Sequence, residues 1–279
     1  MKKTKLFITF FVFILFVQCA KENDFNALNI KNKTSQSELK SIKVDTKMIL
    51  IPGGYYEPFF GTDSTAYVKP FYLDEKAVTN KEYLEFVKIN PQWRKSNVNE
   101  IYADSTYLHD WQSDLILPKD CNPDAPVTYV SWFAANAFAK SIGKRLPTVD
   151  EWEFVAMADA DTINARKKQS YSANIIDLYM QKNRQFNRVK QTKPNYWGVY
   201  NMFDLIWEWT HDFNSIIDVG DSRIGQNDNK NLFCASGATN AKDVMNYAAF
   251  MRYGMRISVK ANYTISNMGF RCAKDSATN

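Results

Sequence analysis

The strongest constraint on the fold is a marked helix end that is followed closely by a marked helix start. A helix is predicted over residues 131–142, because Ala135 and Ala139 fall on one of its faces. Gly143 follows directly and is placed to end that helix in the left-handed conformation. Thr148 comes five residues later and is of the type that caps a new helix. Two helices are therefore joined by a short, tightly turned connection.

The second of these helices carries a capping box and a buried face. Glu151 stands three residues after Thr148, so each side chain can bond the other residue's backbone N–H. Trp152 is predicted to pack inward. Arg145 lies in the connection between the two helices, and we expect it to pair with a buried carboxylate such as Glu151 or Glu208.

Upstream of this pair, the sequence predicts two strands and a further helix. Residues 48–51 are apolar and run into Pro-Gly-Gly, which is typical of a strand entering a turn. Residues 67–74 alternate apolar and polar side chains and are predicted as a second strand. Thr79 can cap a helix that begins at Asn80, with Glu82 in the capping-box position. The side chains predicted to be buried on this helix are Tyr83, Phe86 and Val87.

Beyond residue 159 regular structure is predicted to fade into a loop-rich stretch that ends near residue 193. About three helices, several short strands and much irregular chain indicate an α+β fold in a single domain over residues 48–275. No internal repeat is present, which argues against a solenoid or a propeller. Segments 160–193 and 213–231 are where we expect a binding surface, since loops usually carry specificity.

The first residues are predicted to be a signal peptide, residues 1–18. Three lysines within the first five positions precede an apolar run over residues 6–17, which only Thr9 interrupts. Twelve helical residues span about 18 Å, which is too short for a hydrocarbon core of about 30 Å. Cys19 follows the run and resembles the lipid-attachment cysteine of bacterial lipoproteins, although Gln18 replaces the small residue usual there.

Residues 19–47 are interpreted as the lipid-attachment cysteine and a flexible tether rich in Asn, Lys, Ser and Thr. The lipid on Cys19 would attach the protein to the outer membrane of a diderm bacterium. The charged stretch 21–24 favours the cell-surface face of that membrane. An ordinary secretory signal with a chance cysteine is the alternative interpretation.

The charge of the chain gives no indication of a nucleic-acid partner. The net charge is +5, and removal of the three signal-peptide lysines lowers it by three, to +2. An arginine-rich run or a basic helix is not found in the sequence. No nucleic acid is therefore expected among the partners.

Nine segments, in order, resemble the formylglycine-generating enzyme family, also called sulfatase-modifying factors. They are MILIPGG at 48–54, VTN at 78–80, PV at 126–127, VSW at 130–132, GKRLPT at 143–148, EWE at 151–153, WGVYNM at 197–202, WEW at 207–209 and MGFRC at 268–272. Together they span nearly all of residues 48–273. The resemblance implies the formylglycine-generating-enzyme-like fold, which is related to that of C-type lectins.

The resemblance also implies where the family's chemistry would lie. Enzymes of that family oxidise a cysteine in a bound peptide to formylglycine, using oxygen and Cu(I) held between two cysteine thiolates, just before an arginine-rich strand. Anchored on Arg252, Arg256 and segment 269–271, the first copper cysteine falls near Asp243 and the second at Ala248. Residues 235–271 contain no cysteine, and Cu(I) prefers soft thiolates. Copper and catalysis by the family mechanism are therefore not expected.

Some residues of the family's active-site cleft are expected to remain without the copper pair. The candidates for these vestigial cleft residues are Cys234, Trp207, Glu208 and Arg252. In the family, the cysteine at the position of Cys272 often forms a disulfide. The position of its expected partner is occupied by Ala156 in this sequence. The three internal cysteines, Cys121, Cys234 and Cys272, are either inert thiols or include a Cys234–Cys272 bridge.

Other metals are not expected either. The iron-dependent relatives of this fold need three histidines, and the sequence has only His109 and His211. Calcium is not favoured, because the family's Gly-Asn before Trp-Glu-Trp is here Asp204-Leu205, and leucine offers no oxygen ligand.

These observations predict a non-catalytic, membrane-tethered binding or scaffolding lipoprotein. Its partners would be membrane lipid, through Cys19, and the proteins of an outer-membrane assembly. Two alternatives stay open: a residual enzyme of the sulfatase-modifying type, and a carbohydrate-binding module whose exposed aromatic rings stack on sugars. Other catalytic motifs such as GxSxG, a P-loop, HExxH or CxxC are absent from the sequence.

Overall fold

The computed structural model describes residues 39–44, 46–59, 65–180, 188–214 and 246–276. Those residues contain seven short strands, five α-helices and one 3-10 helix, and from Lys40 onward they belong to one compact unit. The predicted α+β class is confirmed. The number of helices is larger than the predicted three.

The main sheet is antiparallel and joins the two ends of the domain. The central strand β4 (Phe71–Asp74) pairs on one side with β1 (Met48–Ile51) and on the other with β7 (Ala273–Asp275). A small parallel pair, β5 (Trp207–Glu208) and β6 (Met268–Gly269), lies near the C-terminal part of the chain. The strand predicted at 48–51 is therefore confirmed.

The strand predicted over 67–74 is in fact two strands. β3 (Ala66–Val68) pairs with β2 (Gly54–Tyr56) in a hairpin, and the chain then turns into β4. Pro70 stands between β3 and β4, and proline cannot donate a hydrogen bond to a continuing ladder. Gly53 precedes β2 with φ of 72°, and a Cβ there would lie 2.2 Å from the carbonyl oxygen of Val68.

The first two helices are confirmed, with the predicted cap at the start of the first and the predicted glycine at the end of the second. Helix α1 (Asn80–Ile89) begins with the capping box of Thr79 and Glu82, and the 3-10 helix Pro91–Trp93 follows it. Helix α2 (Trp132–Ser141) is capped by Ser131, and Gly143 just after its end has φ of 68°. Both helices bury aromatic rings in one cluster. Its members are Tyr83, Phe86, Trp111, Phe138 and Phe270.

Helix α3 (Val149–Ala156) carries the second predicted capping box, in which Thr148 and Glu151 bond reciprocally. Arg145 donates to both carboxylate oxygens of Glu151, each over 2.7 Å, and it also pairs with Asp275. Of the two partners predicted for Arg145, Glu151 is therefore the one that it contacts.

Two further helices were not predicted. Helix α4 (Gln169–Met180) lies inside the stretch predicted as loop, and it packs against helix α5 (Tyr247–Ser258). Only Ile175 of α4 is buried, so its sequence carries little apolar periodicity. The arginine-rich segment implied to be a strand is helix α5, capped by Asn246. The predicted binding segment 213–231 lies outside the described residues except for Phe213 and Asn214.

The chain leading into β1 is bonded to the domain from Lys40 onward. The buried Asn90 side chain accepts from the N–H of Lys40 over 2.8 Å and donates to its carbonyl over 3.1 Å. Thr46 donates to the buried carboxylate of Asp74 over 3.1 Å. Part of the segment predicted as tether thus contacts the domain, through Lys40 and Thr46, whereas residues 19–38 and Asp45 lie outside the described residues.

In the part of the chain that the structure describes, no helix has both the length and the apolar character needed to span a bilayer. The predicted signal peptide, residues 1–18, and Cys19 lie outside that part.

Candidate functional site

The position that the resemblance gives to the second copper cysteine lies in the first turn of α5. Ala248 there is fully buried, and its side chain is a methyl group without a donor atom for a metal. Asn246 caps the helix by accepting from the N–H of Ala249 over 3.1 Å. Asp243, the other copper position, and the cleft candidate Cys234 lie outside the described residues.

Two arginines on α5 converge on one carboxylate of α3. Arg252 binds Glu153 through Nε and Nη2, over 3.0 and 2.7 Å. Arg256, one turn further along α5, donates to the same carboxylate over 2.7 Å. All three side chains are buried. We call these three residues the arginine cluster.

The charge balance in the arginine cluster sets the ionisation of its carboxylate. Burial alone would raise the pKa of Glu153, but the charges and hydrogen bonds of Arg252 and Arg256 outweigh it and hold that pKa at about 2. Glu153 is therefore ionised near neutral pH, and two positive charges face one negative charge. A group held this far from its usual pKa cannot exchange a proton near pH 7.

A second buried ion pair lies next to the arginine cluster. Arg271 binds Glu208 through Nε and Nη2, over 2.7 and 2.8 Å, and neither side chain is exposed. The indole of Trp152 donates to the same carboxylate over 2.8 Å. We call Glu208 and Arg271, with this indole, the Glu208 centre. Glu208, predicted as a cleft residue, is thus fully engaged in holding β5 to α3 and to the closing segment.

Trp207 and Arg252 are the other predicted cleft residues in the described part, and both line one small cavity. That cavity has a volume of about 20 Å³ and also reaches Tyr179 of α4, whose ring centroid lies 4.5 Å from that of Trp207. A second cavity of about 10 Å³ lies beside Arg252 and Glu153. Each volume is enough for about one water molecule.

One polar atom of the arginine cluster lacks a partner within the described residues. Nη1 of Arg252 is buried and makes no hydrogen bond to them, although the rest of the guanidinium is bound to Glu153. The guanidinium lies 5.2 Å from the ring centroid of Phe203, a favourable cation–π contact. Within the described residues, the site is therefore a packed interior in which two positive charges meet one negative charge.

The two described cysteines are free thiols. Cys272 is fully buried, and burial raises its thiol pKa well above the usual range. Cys121 is half-buried, and its thiol pKa is also raised, by burial and then by the nearby Asp110. Neither environment favours a reactive thiolate.

The described residues do not fit Cu(I). A copper site of this kind needs two thiolates, and the position that the resemblance gives to one of them holds the buried methyl group of Ala248. Among the residues that the structure describes, no group of three or more His, Cys, Asp and Glu side chains could hold a metal ion. Asp204, considered for calcium, instead accepts hydrogen bonds from Asn201 and Thr192, each over 3.0 Å.

Three residues of this site were not predicted to belong to it: Glu153, Arg256 and Tyr179. Glu153 stands directly after a core tryptophan on a short helix, and a charged residue in that place calls for a buried partner. The spacing of four between Arg252 and Arg256 was the available sign that both share one helix face.

The fold and the site together define an α+β domain of the formylglycine-generating-enzyme-like class. The family model described as "Sulfatase-modifying factor enzyme 1-like domain" matches residues 34–276, and the chain belongs to that family.

Relatives in this family carry two kinds of name. "Inactive C-alpha-formylglycine-generating enzyme 2" of Bos taurus is 27% identical, over 81% of this chain and 87% of that protein. "Formylglycine-generating enzyme" of Streptomyces coelicolor is 25% identical, over 76% of this chain and 80% of that protein. The solved structure of PvdO from Pseudomonas aeruginosa matches 85% of this chain and 97% of its own, with 16% identity and a TM-score of 0.46.

Proposed function

We propose that this protein is a non-catalytic member of its family, a membrane-tethered lipoprotein that binds or scaffolds proteins of an outer-membrane assembly. The observation that carries the proposal is the buried methyl group of Ala248 where family enzymes are expected to have a copper thiolate. Residues 235–271, which include the aligned positions, contain no cysteine. The metal that activates oxygen in the family would find no pair of soft ligands there.

The packing around α5 supports the same conclusion. Arg252 lies one turn after Ala248 on α5 and is held in a buried ion pair with Glu153, and the cavities lined by Arg252 measure about 10 and about 20 Å³. Sites for small organic ligands usually measure about 300–1,000 Å³. Within the described residues, a cysteine-containing peptide would have no place to enter this part of the domain.

The relatives are compatible with a fold that is kept without the activity. A protein named as an inactive formylglycine-generating enzyme aligns over most of this chain, as do proteins named as the enzyme. Loss of the catalytic thiolates with retention of the core segments is what we infer for this chain.

The catalytic half of the proposal is tested with a cysteine-containing peptide substrate. The full-length protein in non-ionic detergent is incubated with Cu(I), oxygen and the peptide, beside the Streptomyces coelicolor enzyme as a positive control. We expect no aldehyde on the peptide by mass spectrometry, and no tight binding of Cu(I) in a competition titration with a chelator. Aldehyde formation by this protein would overturn the proposal and favour the residual enzyme.

The tethering half of the proposal rests on Cys19, and it is tested in intact cells. Mass spectrometry of the N-terminal peptide should show acyl chains on Cys19, and Cys19→Ser should move the protein from the membrane fraction to the soluble fraction. Cys121→Ser is the matched control, because it removes a half-buried internal thiol and should leave the fractionation unchanged.

The scaffolding part of the proposal is tested by cross-linking in membranes. We expect recovery of a stoichiometric protein partner, and recovery of the monomer alone would contradict scaffolding.

A further inference from the structure

A wide cleft lies on the domain away from the arginine cluster, where the segment before β1 passes the start of α1. Its volume is about 590 Å³, which falls within the range of about 300–1,000 Å³ usual for small-ligand sites. We call it the basic cleft. The cationic residues that line it are Lys43, Lys76, Lys81, Arg188 and Lys190. We infer that the basic cleft binds a phosphate-bearing anion.

Two of the five cations are already neutralised within the domain. Lys76 pairs with Glu82 over 2.6 Å, and Lys190 pairs with the buried carboxylate of Glu75 over 2.8 Å. Lys43, Lys81 and Arg188 have no ion pair with any described residue. We call these three residues the free cations of the basic cleft. They are available to bind a ligand.

The carboxylates of the basic cleft do not cancel these charges. Glu82 is held by Lys76 and by the capping box of α1, and Glu85 pairs with Lys88 over 2.6 Å. Asp124 is left as the only lining carboxylate without an ion pair to the described residues. Among the described residues, three cations without an ion pair thus line the basic cleft together with one such carboxylate, which is a surplus of two positive charges.

This surplus matches the chemistry of a phosphate group. A phosphomonoester or pyrophosphate concentrates two or more negative charges and several acceptor oxygens in one small volume, whereas a peptide carboxylate carries one charge. Arginine matches phosphate with a planar fork of donors, and lysine supplies a mobile point charge. The three free cations come from three separate parts of the chain and line the same cleft.

The phosphate could belong to a free molecule or to a lipid headgroup. Lys43 lies in the segment that connects the domain to Cys19, and residues 20–39 separate that cysteine from Lys40. A chain of this length spans at most about 75 Å, so a tethered domain stays close to the membrane. The lipid source rests on the proposed tethering, whereas phosphate binding itself does not depend on it.

The test is a calorimetric titration of the full chain in non-ionic detergent with inorganic pyrophosphate, and separately with glycerol 3-phosphate, which is the phosphomonoester headgroup of phosphatidic acid without its acyl chains. We expect saturable binding of pyrophosphate that weakens by about tenfold or more in Lys43→Gln/Lys81→Gln. Lys119→Gln/Lys140→Gln is the matched control, because it removes two exposed lysines outside the basic cleft and should bind as the wild type does. Circular dichroism checks that both double variants are folded.

Two outcomes support the inference and separate the sources. Binding of both probes, lost only in the basic-cleft variant, indicates a lipid headgroup, while binding of pyrophosphate alone indicates a free phosphate compound. Equal affinities in the two double variants, no binding of either probe, or preferential binding of an oligoglutamate peptide would each overturn it. Loss of acylation at Cys19 would refute the tethering but leave a positive pyrophosphate titration intact, so the two proposals fail separately.

Discussion

The Glu208 centre and the arginine cluster are both buried carboxylate–arginine sites, but they differ in how completely they are satisfied. In the Glu208 centre one arginine meets one carboxylate, and Arg271 also donates to the carbonyl of Tyr200 over 3.0 Å. In the arginine cluster two guanidinium groups share one carboxylate, and Nη1 of Arg252 lacks a partner among the described residues. The charges of the Glu208 centre are balanced one to one, whereas the arginine cluster has one more positive than negative charge.

A single residue connects these two sites. The indole N–H of Trp152 donates to Glu208, while its ring lies 5.0 Å from the guanidinium of Arg256 and 5.8 Å from that of Arg252. Glu153, next to it on α3, holds both arginines. Trp152 and Glu153, adjacent on one short helix, therefore contribute to both sites. The sites differ in the number of arginines from other segments that bind each carboxylate.

Arg271→Met should have the largest effect on stability. It leaves the carboxylate of Glu208 buried without a charge partner, and breaking a buried ion pair in this way typically costs about 3–5 kcal/mol. The free energy of unfolding from urea titration measures the loss. Arg188→Met is the control, since that arginine is exposed and should change stability by less than about 0.5 kcal/mol.

Glu153→Gln should rank next, with a loss of about 2–3 kcal/mol at pH 7. The two buried guanidinium groups lose their counter-charge, but the amide oxygen of Gln still accepts a hydrogen bond from them, which makes the loss smaller than in Arg271→Met. The pKa of Glu153 is lowered from 4.5 to about 2 in the folded protein. The stability that the carboxylate adds is therefore fully present above pH 4.5 and is lost as the pH falls towards 2. We expect the stability difference between wild type and Glu153→Gln to shrink in that window. A difference that is independent of pH would contradict the charge assignment.

Arg252→Met sharpens the comparison, because Arg256 still neutralises Glu153 in the variant. We expect a loss of about 1–2 kcal/mol, clearly smaller than that of Arg271→Met. Urea titrations of both variants under one condition give the contrast. Equal losses would mean that the arginine cluster is as tightly determined as the Glu208 centre.

Thr148→Ala should have the smallest effect, a loss of about 1 kcal/mol from the cap of α3. Thr79→Ala removes the equivalent cap from α1, which carries neither site, and should cost a similar amount. Thermal denaturation of the two variants checks this equality. A much larger loss in Thr148→Ala would show that the start of α3 also positions Trp152 and Glu153.

Much of the local structure could be predicted from the sequence, because it depends on residues that are close along the chain. Caps such as Thr79 and Thr148 act within three residues, and Gly143 ends a helix through its own backbone conformation. The ordered family segments also predicted the fold class correctly. The sequence predicted Glu151 or Glu208 as the partner of Arg145. The structure shows Arg145 bound to Glu151, which is the nearer of the two in sequence.

The rest depends on contacts between distant segments. Helix α4 buries only Ile175, so its position is set by packing against α5 rather than by a pattern of its own. Segment 67–74 alternates regularly, but the two-strand arrangement is fixed by pairing with Gly54–Tyr56 and by Pro70. Glu153 and Arg252 are separated by about a third of the chain, and no residue near Glu153 in sequence identifies Arg252 as its partner.

The hydrogen bonds of the segment before β1 determine how a pulling force on the N-terminal segment would act on the domain. Traction at residue 39 would first meet the two-way amide contact of Lys40 with Asn90, then the bond of Ile42 N–H to the carbonyl of Ser141, and then Thr46 on Asp74 and Lys144. All of these contacts precede β1 along the chain, so such a force would load them before it reached the main sheet.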